Sequence, residues 1–132
     1  MAHRNRMWES GINTNALLYA LTGFEPTAYE KRAKFTPHLP EEWKFFTMKN
    51  FRVGDTHLSY RGERRGTGVS YTIAHNSGNS LMIKIHLTKQ VLSEPKLNGK
   101  RIETSWKKNR FGVLTSDIEF PLSQGETILI QI

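Results

Sequence analysis

Acid–base or nucleophilic chemistry in this chain has to come from carboxylates, histidines or hydroxyls, because its 132 residues include no cysteine. That absence removes disulfides, thiolate metal sites and cysteine nucleophiles. The carboxylates that stand out are Glu9, Glu25, Glu30, Glu41, Glu42 and Asp55. Catalysis by paired carboxylates needs two of them to converge on one bond, and no spacing among these argues for a pair. The five histidines, His3, His38, His57, His75 and His86, show no metal-ligand spacing and no i, i+4 pair on a helix. There is no Gly-x-Ser-x-Gly elbow and no phosphate loop. The motifs therefore predict no catalytic residue, no metal site and no cofactor. His57 and His75 fall on predicted strands, where both are expected to face solvent opposite their apolar neighbours. Arg61-Gly-Glu-Arg-Arg-Gly66 reads as the solvated rim of a hairpin, with a phosphate or a partner's carboxylates as the alternative contact.

The elements that would position such residues change character near position 44. Leu17, Leu18 and Leu21 form a helical stripe, Ser10, Asn13 or Thr14 can cap its start, and Gly23 stands where a left-handed residue ends a helix before Pro26. A helix is predicted within 10–22. Residues 24–43 carry Pro26, Pro37 and Pro40 and read as an extended linker, with room for a short helix at 27–33. From Lys44 onward short alternating runs are separated by turn residues, the pattern of an antiparallel sandwich of about seven to nine strands. The runs are Leu58 and Tyr60; Val69, Tyr71 and Ile73; Leu81, Ile83, Ile85 and Leu87; Ile102, Thr104 and Trp106; Phe111 and Val113; Ile118 and Phe120; and Ile128, Ile130 and Ile132. Asn98-Gly99 is the strongest hairpin signal, because both central residues of a type I′ turn need positive φ. With no crossover helix expected after 44, the sheets should be mostly antiparallel. The expected fold is mainly β: an N-terminal helix and Pro-containing linker over 1–43, then a β-sandwich domain over 44–132.

Composition agrees with one globular domain. Hydrophobic residues make up 37% and charged residues 23%, enough apolar content for a single core. The net charge of +7 admits an anionic partner. The basic residues are dispersed, however, and no recognition helix, zinc finger or RNA-recognition pattern accompanies them, so nucleic acid is not the expected partner. No apolar run approaches the roughly 20 residues needed to span a bilayer. The basic start Met-Ala-His-Arg-Asn-Arg is not followed by an apolar stretch of about 7–15 residues, as a signal peptide would be. No membrane association is expected, and the cytoplasm is favoured.

Three pieces in order carry a family resemblance: Met7-Trp-Glu-Ser-Gly-Ile-Asn-Thr-Asn-Ala-Leu-Leu-Tyr-Ala-Leu-Thr-Gly-Phe-Glu-Pro26, then Phe35-Thr-Pro-His-Leu-Pro-Glu-Glu-Trp43, then a β region opening with Phe45-Phe-Thr-Met-Lys-Asn-Phe-Arg-Val-Gly54 and containing Lys96-Leu-Asn-Gly-Lys100. Residues 7–132 thus resemble the C-terminal end of (α/α)6-barrel glycoside hydrolases and glycoside phosphorylases, the glucoamylase-like and rhamnosidase-like enzymes. There a last barrel helix ends in Gly-x-x-Pro, and a linker of the form Phe-x-Pro-x-Leu-Pro-x-x-Trp leads into a C-terminal β-sandwich. The chain departs from that family in length, since such barrels take hundreds of residues and at most one helix of one is present here.

The resemblance implies a carbohydrate-enzyme lineage and a non-catalytic role: a C-terminal β-sandwich region that packs on and stabilises a catalytic barrel absent from this chain. It places Trp8 and Glu9 near a barrel mouth, the best candidates for carbohydrate contact, although Glu9 also suits a helix N-terminal carboxylate favoured by the dipole. Trp43 is expected to plug the junction of helix and sandwich, and Trp106 to pack in the core. The partners implied are the barrel of a parent chain, or another copy of this chain joined through the apolar helix face; carbohydrate is a further candidate. Two other readings stand beside this one, a carbohydrate-binding module using exposed aromatics and a basic nucleic-acid-binding β domain.

Overall fold

The computed structural model describes residues 17–88, 95–102 and 105–131. Two sheets face each other as a sandwich. One has the strand order β1 (Glu25–Thr27), β2 (Arg32–Phe35), β6 (Leu81–Thr88), β10 (Leu114–Leu122) and β9 (Lys107–Lys108). The other runs β3 (Phe45–Val53), β4 (Thr56–Arg65), β5 (Gly68–Ser77), β11 (Thr127–Gln131), β7 (Lys96–Leu97) and β8 (Lys100–Arg101). Among the described residues all pairings are antiparallel except β2 with β6. Parallel neighbours need a long crossover, and here the β3–β4–β5 meander of the opposite sheet supplies it in place of a helix.

Strict alternation builds the core. Leu81, Ile83, Ile85 and Leu87 of β6 are buried while Met82, Lys84 and His86 between them are only half-buried. Leu58 and Tyr60, Tyr71 and Ile73, and Ile128 and Ile130 meet them from the other sheet. Each buried Leu or Ile contributes roughly 1.5–3 kcal/mol, so a one-residue slip of β6 would exchange four of them for Met82, Lys84, His86 and Thr88. Ile132 lies outside the described residues. The Asn98-Gly99 hairpin is present, with Leu97 opposite Lys100 and φ of 50° and 80° at the turn.

The N-terminal third departs most from expectation. Residues 17–22 are helical and Gly23 closes the turn at φ 58°, its N–H donating to the Tyr19 carbonyl. Of the leucine stripe Leu21 is buried and Leu17 remains 50% exposed. Residues 24–43 are extended, but they contain two strands integral to the first sheet. The room for a helix at 27–33 holds only the 3₁₀ turn Ala28–Glu30, because Lys31 at φ 53° swings the chain into β2. Ala33 and Phe35 then enter the core beside Ile83 and Ile85. Phe35 stacks on Tyr60 at 5.8 Å, and Phe24 meets Phe35 at 5.3 Å and Phe51 at 4.9 Å.

Three smaller corrections concern loops. The run through Ile102 and Trp106 is not a strand at either residue, since β8 ends at Arg101; Thr104 lies outside the described residues, and Trp106 packs half-buried on the core. Phe111 and Val113 belong to the β9–β10 loop. Asn109 Oδ1 accepts from both of their backbone N–H groups, and Gly112 takes φ 78°. That local turn chemistry overrides a two-residue alternation. Trp43 is exposed and packs against Phe46 of β3 at 6.1 Å, so it caps a strand end and does not plug a helix junction.

Candidate functional site

The β4 strand shows how side chains reach the sandwich end. Thr56, Leu58, Tyr60 and Gly62 face inward, so Arg64 is the next inward position, while Arg61, Glu63 and Arg65 face out. The outward three form a surface chain: Arg65 Nη2 lies 3.0 Å and Arg61 Nη2 3.5 Å from Glu63. The hydrogen bond from Arg65 holds the Glu63 carboxyl below its usual range. The rim predicted at 61–66 is thus half correct, and the exception is its most consequential residue. Arg64 Nη2 donates to the carbonyls of Leu39 at 3.2 Å and Pro40 at 3.1 Å, and its backbone N–H donates to Lys44 O at 2.8 Å. Its Nε is buried without a partner. The guanidinium clamps the Thr36–Lys44 segment across the open end of the sandwich.

Between that segment and the strand ends lies a cavity of about 630 Å³, walled by Arg64, Glu41, Thr67, Tyr71, Leu87 and Thr88 among others. Its far wall is fixed by the helix, because Thr36 N–H donates to Thr22 O and His38 N–H to Leu21 O. Tyr71 packs its ring over Gly62, where an added Cβ would stand 3.3 Å from ring carbons. Burial pushes the Tyr71 hydroxyl up to about 12, against the opposing pull of Arg64 and the Leu39 backbone. Tyr60 is shifted upward as well, mainly by burial and further by Tyr71, and its Oη has no partner.

These tyrosines predict alkaline lability. Both fold with phenols raised above the ordinary 10.0, so the native state keeps protons that the unfolded chain releases. The stability they contribute is complete below pH 10 and declines as pH rises towards 12 and beyond. The melting temperature is expected to fall steeply over that window, and Tyr60→Phe to flatten the fall while leaving neutral-pH stability unchanged or higher, since it removes a buried hydroxyl without a partner. An identical slope in Tyr60→Phe would count against this origin.

The other candidates are scattered. Trp8 and Glu9 lie outside the described residues. Glu30, Glu42 and Asp55 are exposed in turns, and Glu41 stands on the cavity wall. Glu25 shares a shallow depression of about 180 Å³ with Glu119, Lys34 and Lys84. His57 is half-buried and its Nδ1 is 3.1 Å from Ser77 Oγ. His75, expected at the surface, is 2% exposed. It follows Tyr71 and Ile73 on the inward parity of β5, and its Nε2 meets Asn79 O at 2.7 Å. His86 pairs across strands with Asp117, Nδ1 to Oδ1 at 2.5 Å. Partial burial opposes ionisation of Asp117, but the His86 hydrogen bond and Lys84 outweigh it and hold the carboxyl below its usual range. Among the described residues no group of three His, Asp or Glu is arranged to hold a metal. No helix among them is long and apolar enough to cross a membrane. Arg64, Tyr71 and Thr88 gather at the cavity; the sequence reading gave Arg64 to a solvated rim and Tyr71 to an alternating core run and did not name Thr88, and the inward parity of Arg64 was the available signal. Compared with known proteins, the chain matches no family model, no curated protein and no solved structure.

Proposed function

We propose that the chain is a non-catalytic β-sandwich region of a glycoside hydrolase-like protein, and that it packs on a helical catalytic barrel through its N-terminal helix. The carrying observation is the helical segment at 17–22, anchored at its C-terminal end while apolar side chains nearer its start stay exposed. Leu21 anchors it in the sandwich, while Leu17 and Tyr19 remain 50% and 58% exposed. Exposed apolar side chains on a helical segment anchored to a sandwich suit a neighbouring helix. The linker motif also supports a fixed spacing between the two, since Phe35 and Leu39 are core residues and Arg64 ties down Leu39 and Pro40. The reading as a flat aromatic sugar platform has less support. Phe45 and Phe111 each already carry a guanidinium over one face, Arg61 at 4.8 Å and Arg110 at 4.7 Å.

The purified chain is expected to release no aryl group from a panel of aryl α- and β-glycosides, because acid and second carboxylate must converge on one sugar. Turnover that disappears in Glu9→Gln would overturn the non-catalytic reading. The coding sequence upstream of Met1 is expected to encode a helical-repeat region in frame, and an in-frame region of another class would overturn the packing role.

A further inference from the structure

We propose that the cavity beneath the Thr36–Glu41 segment binds a small polyhydroxylated monocarboxylate, a sugar acid, with Arg64 as its carboxylate receptor. The inference does not depend on the packing role, which concerns the exposed side chains of Leu17 and Tyr19, neither of which lines the cavity. Three observations carry it. Arg64 stands on an inward strand position on the cavity wall, and it takes part in no ion pair among the described residues, whereas its neighbours Arg61 and Arg65 share Glu63. The Arg64 Nη2 hydrogens are given to the Leu39 and Pro40 carbonyls, and Nη1 remains to make a charge-assisted hydrogen bond to an anion. The charge count selects the valence: a single arginine facing a wall that also carries Glu41 suits one negative charge and opposes a phosphate dianion. The remaining wall selects the body. The hydroxyls of Thr36, Thr67 and Thr88 and the Glu41 carboxylate can exchange hydrogen bonds with ligand hydroxyls, while Leu87 offers an apolar floor for C–H groups. A cavity near 630 Å³ falls in the range of about 300–1,000 Å³ typical of small-molecule sites, room for one to two pyranose rings.

The test is titration of the ¹⁵N-labelled chain with galacturonate, its methyl ester, and glucose 6-phosphate, each followed by amide shifts and calorimetry. Galacturonate is expected to shift the Leu39, Thr67 and Thr88 amides, with an affinity that falls as salt is added. The methyl ester, which keeps the hydroxyls and loses the charge, should bind at least about tenfold more weakly. Arg64→Lys should weaken galacturonate binding by a similar factor. Because Arg64 also clamps the Leu39 and Pro40 carbonyls, Thr88→Phe serves as the second variant: it fills the cavity, leaves the clamp intact and should abolish the shifts. Unmoved wall amides, equal binding of the ester, tighter binding of glucose 6-phosphate, or full binding by Thr88→Phe would each overturn the assignment.

Discussion

Phe35→Ala is expected to destabilise the protein by about 3–5 kcal/mol, a large share of the roughly 5–15 kcal/mol that holds a domain of this size together. Phe35 is 0% exposed. It lies on β2 directly beside Ile85 of β6, and its ring contacts Tyr60, Phe24 and Phe51 at 5.8, 5.3 and 6.0 Å. Truncation removes the buried ring and leaves a cavity lined by residues of both sheets, which cannot all close in without breaking strand register. The same variant decides what residues 24–43 are. A detachable connector would tolerate the change, whereas a core strand would not. Chemical denaturation measures it, with Trp43→Ala as the exposed reference from the same segment, expected to cost less than about 1 kcal/mol. A loss below that figure for Phe35→Ala would return the segment to the status of a linker.

What could be read in advance followed the length of the element. Strand β6 spans eight residues, so four apolar positions in phase identified both strand and buried face. The Asn98-Gly99 turn was legible because its φ requirement is local. Strands β1 and β2 have three and four residues, too few for a period, and the partner that makes β2 a strand lies about fifty positions later in β6. Pro26 sits on the edge strand β1, where a missing N–H is tolerated, so a residue that suggested a linker was compatible with a sheet. At the candidate site, parity carried more than was taken from it. His75 shares the phase of Tyr71 and Ile73, and Arg64 shares that of Leu58 and Tyr60; a polar side chain in an inward phase is the unusual observation. No local rule could bring Arg64 to the Leu39 and Pro40 carbonyls, because that clamp joins segments 24–25 residues apart. Trp8 and Glu9, singled out through the family resemblance, lie beyond the described residues, so the site described here is one the resemblance did not suggest.

Gly78→Ala is expected to be a severely damaging single-methyl change. Gly78 takes φ 98°, and a Cβ there would stand 2.3 Å from Asp55 O and 2.7 Å from Thr56 Cα. Both are backbone atoms, so no side-chain rotation relieves the contact. The β5–β6 turn would have to move away from the β3–β4 turn. That movement would strain two bonds converging on the Asn79 carbonyl, from Thr56 Oγ1 at 2.7 Å and His75 Nε2 at 2.7 Å. It would also disturb the tie between His75 N–H and Glu126 O. Three turns meet at this end of the sandwich, so the displacement cannot stay local. Gly99→Ala separates the two components of the cost. Gly99 also has positive φ, 80°, but an added Cβ meets nothing within 4 Å, so only conformational strain of about 1 kcal/mol applies. Gly78→Ala should exceed it by at least about 2 kcal/mol, the mark of backbone displacement and lost buried hydrogen bonds. Equal midpoints of unfolding for the two variants would mean that the β3–β4 and β5–β6 turns do not pack as described.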